Sequence, residues 1–407
     1  LDHALQRYDE ITDRHMQISA RSGALTSALR ELFERAGMAR PRQFEVLGTL
    51  MGGIEGIESV AIVRDLDTIA AEARARLATL PAEDRASTPE AFHEWLFDTR
   101  CTSPAPAGGA TKGRAGELFA AFLHRNGHRC VREAELREVE WGQDPSELVY
   151  QLWATINAPE RPPTAAPPPW EQVLRGLCDE LEGLSWRAAS WLTRSAREAV
   201  KDREWSKSLL IRAGNRLRGA YRRLAAVMVH EGRLPDADLL FFFTHEELGR
   251  LLVATDPRAP HLRRAGHRRR LLPRQMSLRF PDFCRGRPEP LREGGAAPEG
   301  AVLEGLAVSP GLVRGPVRVI ESKDDARALR PGEIICARFT DVGWTPYYST
   351  AAGLITEIGS ALSHGAVVAR EYGLPLVTSV EAATLLLKTG DVVELDGTAG
   401  VVTRLSA

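Results

Sequence analysis

Residues Gly353–Pro375, reading GLITEIGSALSHGAVVAREYGLP, hold one histidine at the junction of two kinds of sequence. Leu354 and Ile355 predict a buried strand, Gly359-Ser360-Ala361 a loop of small residues, and Ser363 onward a helix that stops at Gly373. Ser363 is placed to cap that helix, and His364 then falls in its first turn, where free N–H groups and the helix dipole favour an anion. Such a position suits a nucleophilic histidine. The positive helix end disfavours imidazolium, keeps the ring neutral, and stabilises a phosphoryl group once attached. Gly359, Ser360, Ala361 and Gly365 leave room for a bulky donor, and Arg370 can pair with phosphate oxygens if the helix turn brings it round. The junction is expected to be exposed. On spacing alone, a solvated histidine in a turn is an equal reading.

Other candidates are weaker. Arg129 and Glu133 either orient a substrate or form ion pairs between helices, and the two readings stand even. His128 reads as a structural histidine, and Phe241-Phe242-Phe243 as core. Arg258–Arg274 carries seven arginines and two histidines without an acid. With no interleaved aromatics it reads as a solvated face, or a surface toward another domain, rather than a nucleic-acid patch. His245-Glu246-Glu247 lacks metal-ligand spacing, so no metal site is expected.

The elements that must position these residues fall into two textures. Before residue 285 the apolar spacing is helical, as in Leu25, Leu29, Leu32 and Phe33. Two breaks interrupt it, a Ser/Pro/Ala/Gly-rich loop at 101–113 and a Pro-rich stretch at 157–169. Beyond residue 300, short β-branched runs bounded by glycine take over, including Val317-Arg318-Val319-Ile320, Ile334-Ile335 and Val392-Val393. The reading is multidomain: an all-α helical substrate-type domain at 1–285, a linker at 286–300, and a small α/β domain at 301–407 expected to fold alone. Taken from Arg285, the linker gives a flexible reach of roughly 20–24 Å, enough for a carrier to travel.

Length and composition agree. A chain of 407 residues suggests roughly two to three domains, and its 43% hydrophobic and 26% charged residues suit a folded chain with real cores. Lys+Arg (53) and Asp+Glu (54) cancel, so no global field draws nucleic acid or an anionic membrane. Five scattered cysteines without a CxxC pair point away from a disulfide framework, to a reducing, cytoplasmic setting. The start at Leu1, already in helical pattern, reads as a piece of a longer protein.

The 353–375 stretch resembles the phosphohistidine motif of the swivelling domain in phosphoenolpyruvate (PEP)-utilising enzymes, the group that includes PEP synthase and pyruvate phosphate dikinase. The similarity is longest toward the rifampin phosphotransferases. It extends through Phe339-Thr340-Asp341-Val342-Gly343-Trp344-Thr345-Pro346-Tyr347 and Gly305–Gly311, and so covers nearly all of 301–407. More loosely, Gly127–Glu133, Arg203-Glu204-Trp205-Ser206-Lys207-Ser208 and Gly232–Leu248 resemble the helical substrate-binding domain of that group. Two positions depart from the pattern: Ser360, where a second glycine is usual, and Thr378-Ser379, where Val-Gly is usual.

The resemblance implies an ATP-dependent phosphotransferase of kinase or dikinase type. His364 would be the phosphoryl carrier, with Ser363, the Gly365 backbone and Arg370 on the phosphate. ATP and Mg²⁺ would be bound by an N-terminal ATP-grasp domain preceding Leu1, and a small-molecule acceptor by the helical domain. A non-catalytic or degenerate paralogue serving as a binding or regulatory module is the alternative.

Overall fold

The computed structural model describes residues 2–81, 85–97, 113–159, 168–177, 181, 184–253, 260–281, 284–291, 295, 297–361 and 363–406. The expected loop at 101–113 lies outside them except for Gly113, which opens a helix. Of the Pro-rich break, 160–167 lie outside, and Asn157 still belongs to a helix.

Helices fill the N-terminal part: α1 (Asp2–Arg35), α2 (Arg40–Leu50), α3 (Glu58–Ala78), α4 (Pro89–Phe97), α5 (Gly113–Asn126), α6 (Ser146–Asn157), α7 (Trp170–Gly176), α8 (Leu184–His230), α9 (His245–Val253) and α10 (Pro260–Met276). At 1.5 Å per residue the 47-residue α8 is about 70 Å long, and α1 packs along it. Ala189, Ala196 and Val200 on α8 are small enough for Leu29 and Phe33 of α1 to bury fully in the same cluster. His15 Nδ1 meets Ser206 Oγ at 2.9 Å across the same seam.

The C-terminal part is a small mixed sheet. Its strands are β1 (Val302–Glu304), β2 (Leu306–Ser309), β3 (Leu312–Ile320), β4 (Ile334–Ala337), β5 (Gly353–Thr356), β6 (Leu376–Thr378), β7 (Val392–Asp396) and β8 (Val401–Arg404), in the order β1-β8-β7-β3-β4-β5-β6-β2. Strands β3, β4, β5 and β6 run parallel and the remaining pairs antiparallel. Period-two alternation sorts the strands onto two cores. Ile334, Cys336 and Ile355 face one side with Val393 and Leu395, while Ile335, Ala337 and Leu354 face the other with α12 (His364–Tyr372). The short α11 (Lys323–Arg327) and α13 (Ala383–Leu386) complete the unit.

The sheet unit is docked on the helices. Val367 of α12 joins the α1–α2–α8 core, Val342 joins the α3–α5–α6 core, and Val63 and Val131 enter the core of the sheet unit. Hydrogen bonds cross the seam from Gly53 N to Glu371 Oε1 (2.9 Å) and from Tyr372 Oη to Asp67 Oδ2 (3.1 Å). At Gly343 a Cβ would stand 2.2 Å from the Cys130 carbonyl oxygen, so only glycine permits this approach of the two backbones. The stretch after Arg285 is tied down in part. Leu291 N donates to Arg279 O at 2.7 Å, and Ala297 N to Leu386 O at 2.8 Å.

One departure from the family pattern has a structural cost. Ser379 adopts φ 58°, a left-handed conformation that glycine takes without strain. Ser379→Gly is expected to raise unfolding stability by about 1 kcal/mol, measured by urea denaturation. A loss of stability would mean that the Ser379 Oγ bond to Gly359 O (3.2 Å) outweighs the backbone strain.

Candidate functional site

The site is assembled at the carboxyl ends of two adjacent parallel strands, where open α/β sheets place their ligands. The chain leaving β4 passes through Thr340 and Asp341 into a 3-10 turn at Val342–Ser349, and the chain leaving β5 runs through 357–363 into α12. Thr345 from the first and His364 from the second meet, with Thr345 Oγ1 3.1 Å from His364 Nε2. The other ring nitrogen, Nδ1, is buried without a hydrogen-bond partner. Glycine is required next to it. A Cβ at Gly365 would lie 2.5 Å from Thr340 Oγ1.

His364 is only 6% exposed, because the helical part covers it. Burial lowers its pKa well below the usual value, and Lys207, Arg129 and Arg203 lower it further. The ring is therefore neutral, a base and nucleophile rather than a cation. Arg203 and Lys207 lie one turn apart on α8 and so share a face. Arg129 is held by Glu133 Oε1 and Glu58 Oε2, each at 2.7 Å, and by Ser208 Oγ at 3.3 Å. Arg218 fixes the same loop through the carbonyls of Glu133 and Glu135, both at 3.0 Å. Asp341 accepts from Gly343 N (2.9 Å) and from Glu133 N (3.3 Å), the second bond crossing from the sheet unit to the helices. The neutral imidazole lies in the field of Lys207, Arg129 and Arg203, with Arg129 itself paired to Glu58 and Glu133, and a positive field of this kind can stabilise a phosphoryl group on the ring.

The family described as "PEP-utilising enzyme, mobile domain" matches residues 329–400, the span that contains β4, β5, α12 and His364. The chain carries a PEP-utilising enzyme mobile domain. The helical side matches the "Rifampicin phosphotransferase fourth domain" over residues 14–204. The chain is similar to the rifampicin phosphotransferase of a Streptomyces species, 33% identical over 326 residues, covering 74% of this chain and 36% of that protein. The rifampicin phosphotransferase of Bacillus cereus is 30% identical over 302 residues, covering 70% of this chain and 34% of that one. The prodigiosin synthesizing transferase PigC of Serratia marcescens is 50% identical over 102 residues, or 25% of this chain and 12% of that protein. The chain thus spans about a third of the length of the two rifampicin phosphotransferases.

Three expectations need correction within the mobile domain. His364 is not exposed, because docking covers the loop–helix junction. Ser363 does occupy the N-cap position, but its side chain makes no cap bond; its hydroxyl donates back to Ser360 O at 2.9 Å in the tight turn of small residues. Arg370 lies on the buried body of α12, with Nη1 3.3 Å from Val308 O and Nε and Nη2 without partners. Burial holds its pKa down to about 10. No hydrogen bond joins it to His364. Arg129 and Glu133 form the ion-pair reading of their two alternatives, yet Arg129 also acts on His364. His128 is half-buried, with its pKa pulled to about 4 mainly by burial and then by Arg129 and Arg212.

Sequence reasoning assigned no role to Arg203, Lys207, Asp341 or Thr345. The i, i+4 spacing of Arg203 and Lys207 was available as a signal. So was the uncharged run Gly365–Ala369, apolar on every face, which marks a helix covered on both sides. Among the described residues no three His, Cys, Asp or Glu side chains converge as a metal site. No helix among them is long and apolar enough to cross a membrane.

Asp341 makes the docked state sensitive to pH. Burial, and next Glu133, push its carboxyl up to about 7, opposed by Lys207 and the two backbone donors. A carboxyl whose pKa rises from 3.8 on folding stabilises below about pH 4 and loses that contribution as pH climbs through about 7. Thermal melts of Asp341→Asn should therefore fall less between pH 4 and 7 than those of the parent chain. Parallel pH profiles would show that Asp341 titrates without linkage to the fold.

Proposed function

We propose that this chain joins the phosphohistidine carrier of a phosphotransferase to the helical region that receives the acceptor. The observation that carries this reading is His364 itself, buried at the start of α12 with Nδ1 free of any hydrogen-bond partner and its ring held neutral by burial and by the field of Lys207, Arg129 and Arg203. In the first half-reaction, at a separate ATP-grasp domain that would also bind Mg²⁺, a P–N bond forms between His364 and the β-phosphorus of ATP as the α–β P–O bond breaks and AMP leaves; water then cleaves the β–γ P–O bond, releasing phosphate and leaving one phosphoryl group on the ring. In the second, an acceptor hydroxyl attacks phosphorus, the P–N bond breaks, and the hydroxyl proton passes to the freed imidazole, directly or through water. The cations meet the charge that spreads over the phosphoryl oxygens in a loose transition state.

The names of the two similar phosphotransferases favour a hydroxyl-bearing acceptor of the rifamycin class. The buried thiols of Cys130 and Cys336 suit a reducing, cytoplasmic setting. Intact-mass spectrometry of the full-length protein with ATP and Mg²⁺ tests the reading. An acid-labile +80 Da adduct on His364 supports it, and an unmodified chain favours the non-catalytic alternative.

A further inference from the structure

The arginines of α10 have a destination that the phosphoryl relay does not use. A cleft of about 570 Å³ opens between α10 and the turn at Gly232–Pro235 that follows α8. It lies roughly 35 Å along α8 from Lys207, counting 1.5 Å per residue, so it is separate from the His364 site. Arg233, Arg263, Arg269 and Arg270 line it. Two of these are committed. Arg269 Nη1 holds both oxygens of Asp236 at 2.7 and 2.8 Å, and Arg233 holds Glu231 at 2.8 Å and the Leu252 carbonyl at 2.9 Å. Arg263 and Arg270 have no ion-pair or hydrogen-bond partner among the described residues.

The remaining lining is apolar. Leu234 and Leu239 are buried and Leu262 is half-buried against the same cluster. Gly266 leaves the helix surface bare at the cleft, and Arg270 Nη1 passes 3.7 Å from where its Cβ would be. The frame is braced as well, since Arg268 bridges α10 to Glu247 of α9 and to Phe242 O at 2.9 Å. Among the described residues, four guanidinium groups against two paired carboxylates leave about two uncompensated positive charges beside an apolar wall. The volume falls in the ~300–1,000 Å³ range of small-molecule sites.

We propose that this cleft binds a small phosphate-bearing molecule with a flat, weakly polar body, its phosphate held by the guanidinium forks of Arg263 and Arg270. Planar guanidinium matches phosphate bidentately, which explains why unpaired arginines are gathered here.

Isothermal titration of the 407-residue chain at constant ionic strength tests the proposal, with inorganic pyrophosphate and ADP as probes. Pyrophosphate should bind, and ADP more tightly because its ring covers the half-buried Leu262. Arg263→Ala/Arg270→Ala should weaken both at least ~10-fold; Arg263→Lys/Arg270→Lys, which keeps the charge and loses the fork, should fall between. Both side chains are exposed, so circular dichroism should be unchanged. No binding at millimolar probe, or equal affinity in parent and double alanine variant, would overturn the assignment. Pyrophosphate binding without any gain for ADP would overturn the apolar half of it.

Discussion

Replacing His364 with Gln or Ala should abolish acid-labile phosphate on the full-length protein while leaving the fold standing. The expected loss is at least ~10³-fold, as for removal of any obligate nucleophile. The groups around His364 offer no substitute. Lys207, Arg129 and Arg203 act on it as cations, and the Thr345 hydroxyl has the imidazole itself as its hydrogen-bond partner. The structural cost is small. The ring makes one side-chain hydrogen bond, worth about 1 kcal/mol, and its other nitrogen is buried unpaired. The melting temperature should therefore move by only a few degrees, and Gln can still reach Thr345. Labelling that survives in the Gln variant would place the nucleophile elsewhere and end the carrier reading.

Lys207→Met should separate the two half-reactions. Methionine keeps most of the apolar stem and deletes the charge. The cation meets His364 only when the mobile domain is docked on α8, so loading of phosphate at a distant nucleotide site should proceed at the parent rate. Discharge to the acceptor should slow by ~10²–10³-fold, the usual cost of one charge-stabilising donor. Rapid-quench measurement with ATP and acceptor should then find the phosphoenzyme accumulating. Arg203→Met, one turn away, should act in the same direction. If discharge ran at the parent rate in both variants, the cations would be part of the seam and not of the chemistry.

The elements around His364 were legible because each obeys a local rule. The strand of Leu354 and Ile355, the small-residue turn, and the helix closed by Gly373 at φ 61° follow from spacing and backbone preference within about twenty residues. The division between helical and sheet textures was equally plain, since periods of 3.6 and 2 differ over any ten residues. Local rules also supplied the wrong parts. Ser363 has the right type for a cap, but a turn of small residues offered its hydroxyl the Ser360 carbonyl instead. Arg370 has the right type for a phosphate, but its position along α12 carries it to Val308.

The sequence by itself singled out His364 as the candidate nucleophile and separated the two folding textures. Tertiary structure alone decided what surrounds it. Arg129, Arg203 and Lys207 come from a loop and a helix more than 150 residues away in the chain, and the i, i+4 spacing of Arg203 and Lys207 marks a shared face without saying what that face meets. Only the docking of α12 and of the Val342–Ser349 turn against the helices brings them together, and it does so through apolar contacts such as Val367 and Val342 that are blind to the charges they position. Burial is a property of that assembled seam, so the neutral state of His364 and the high pKa of Asp341 exist only once the two parts meet.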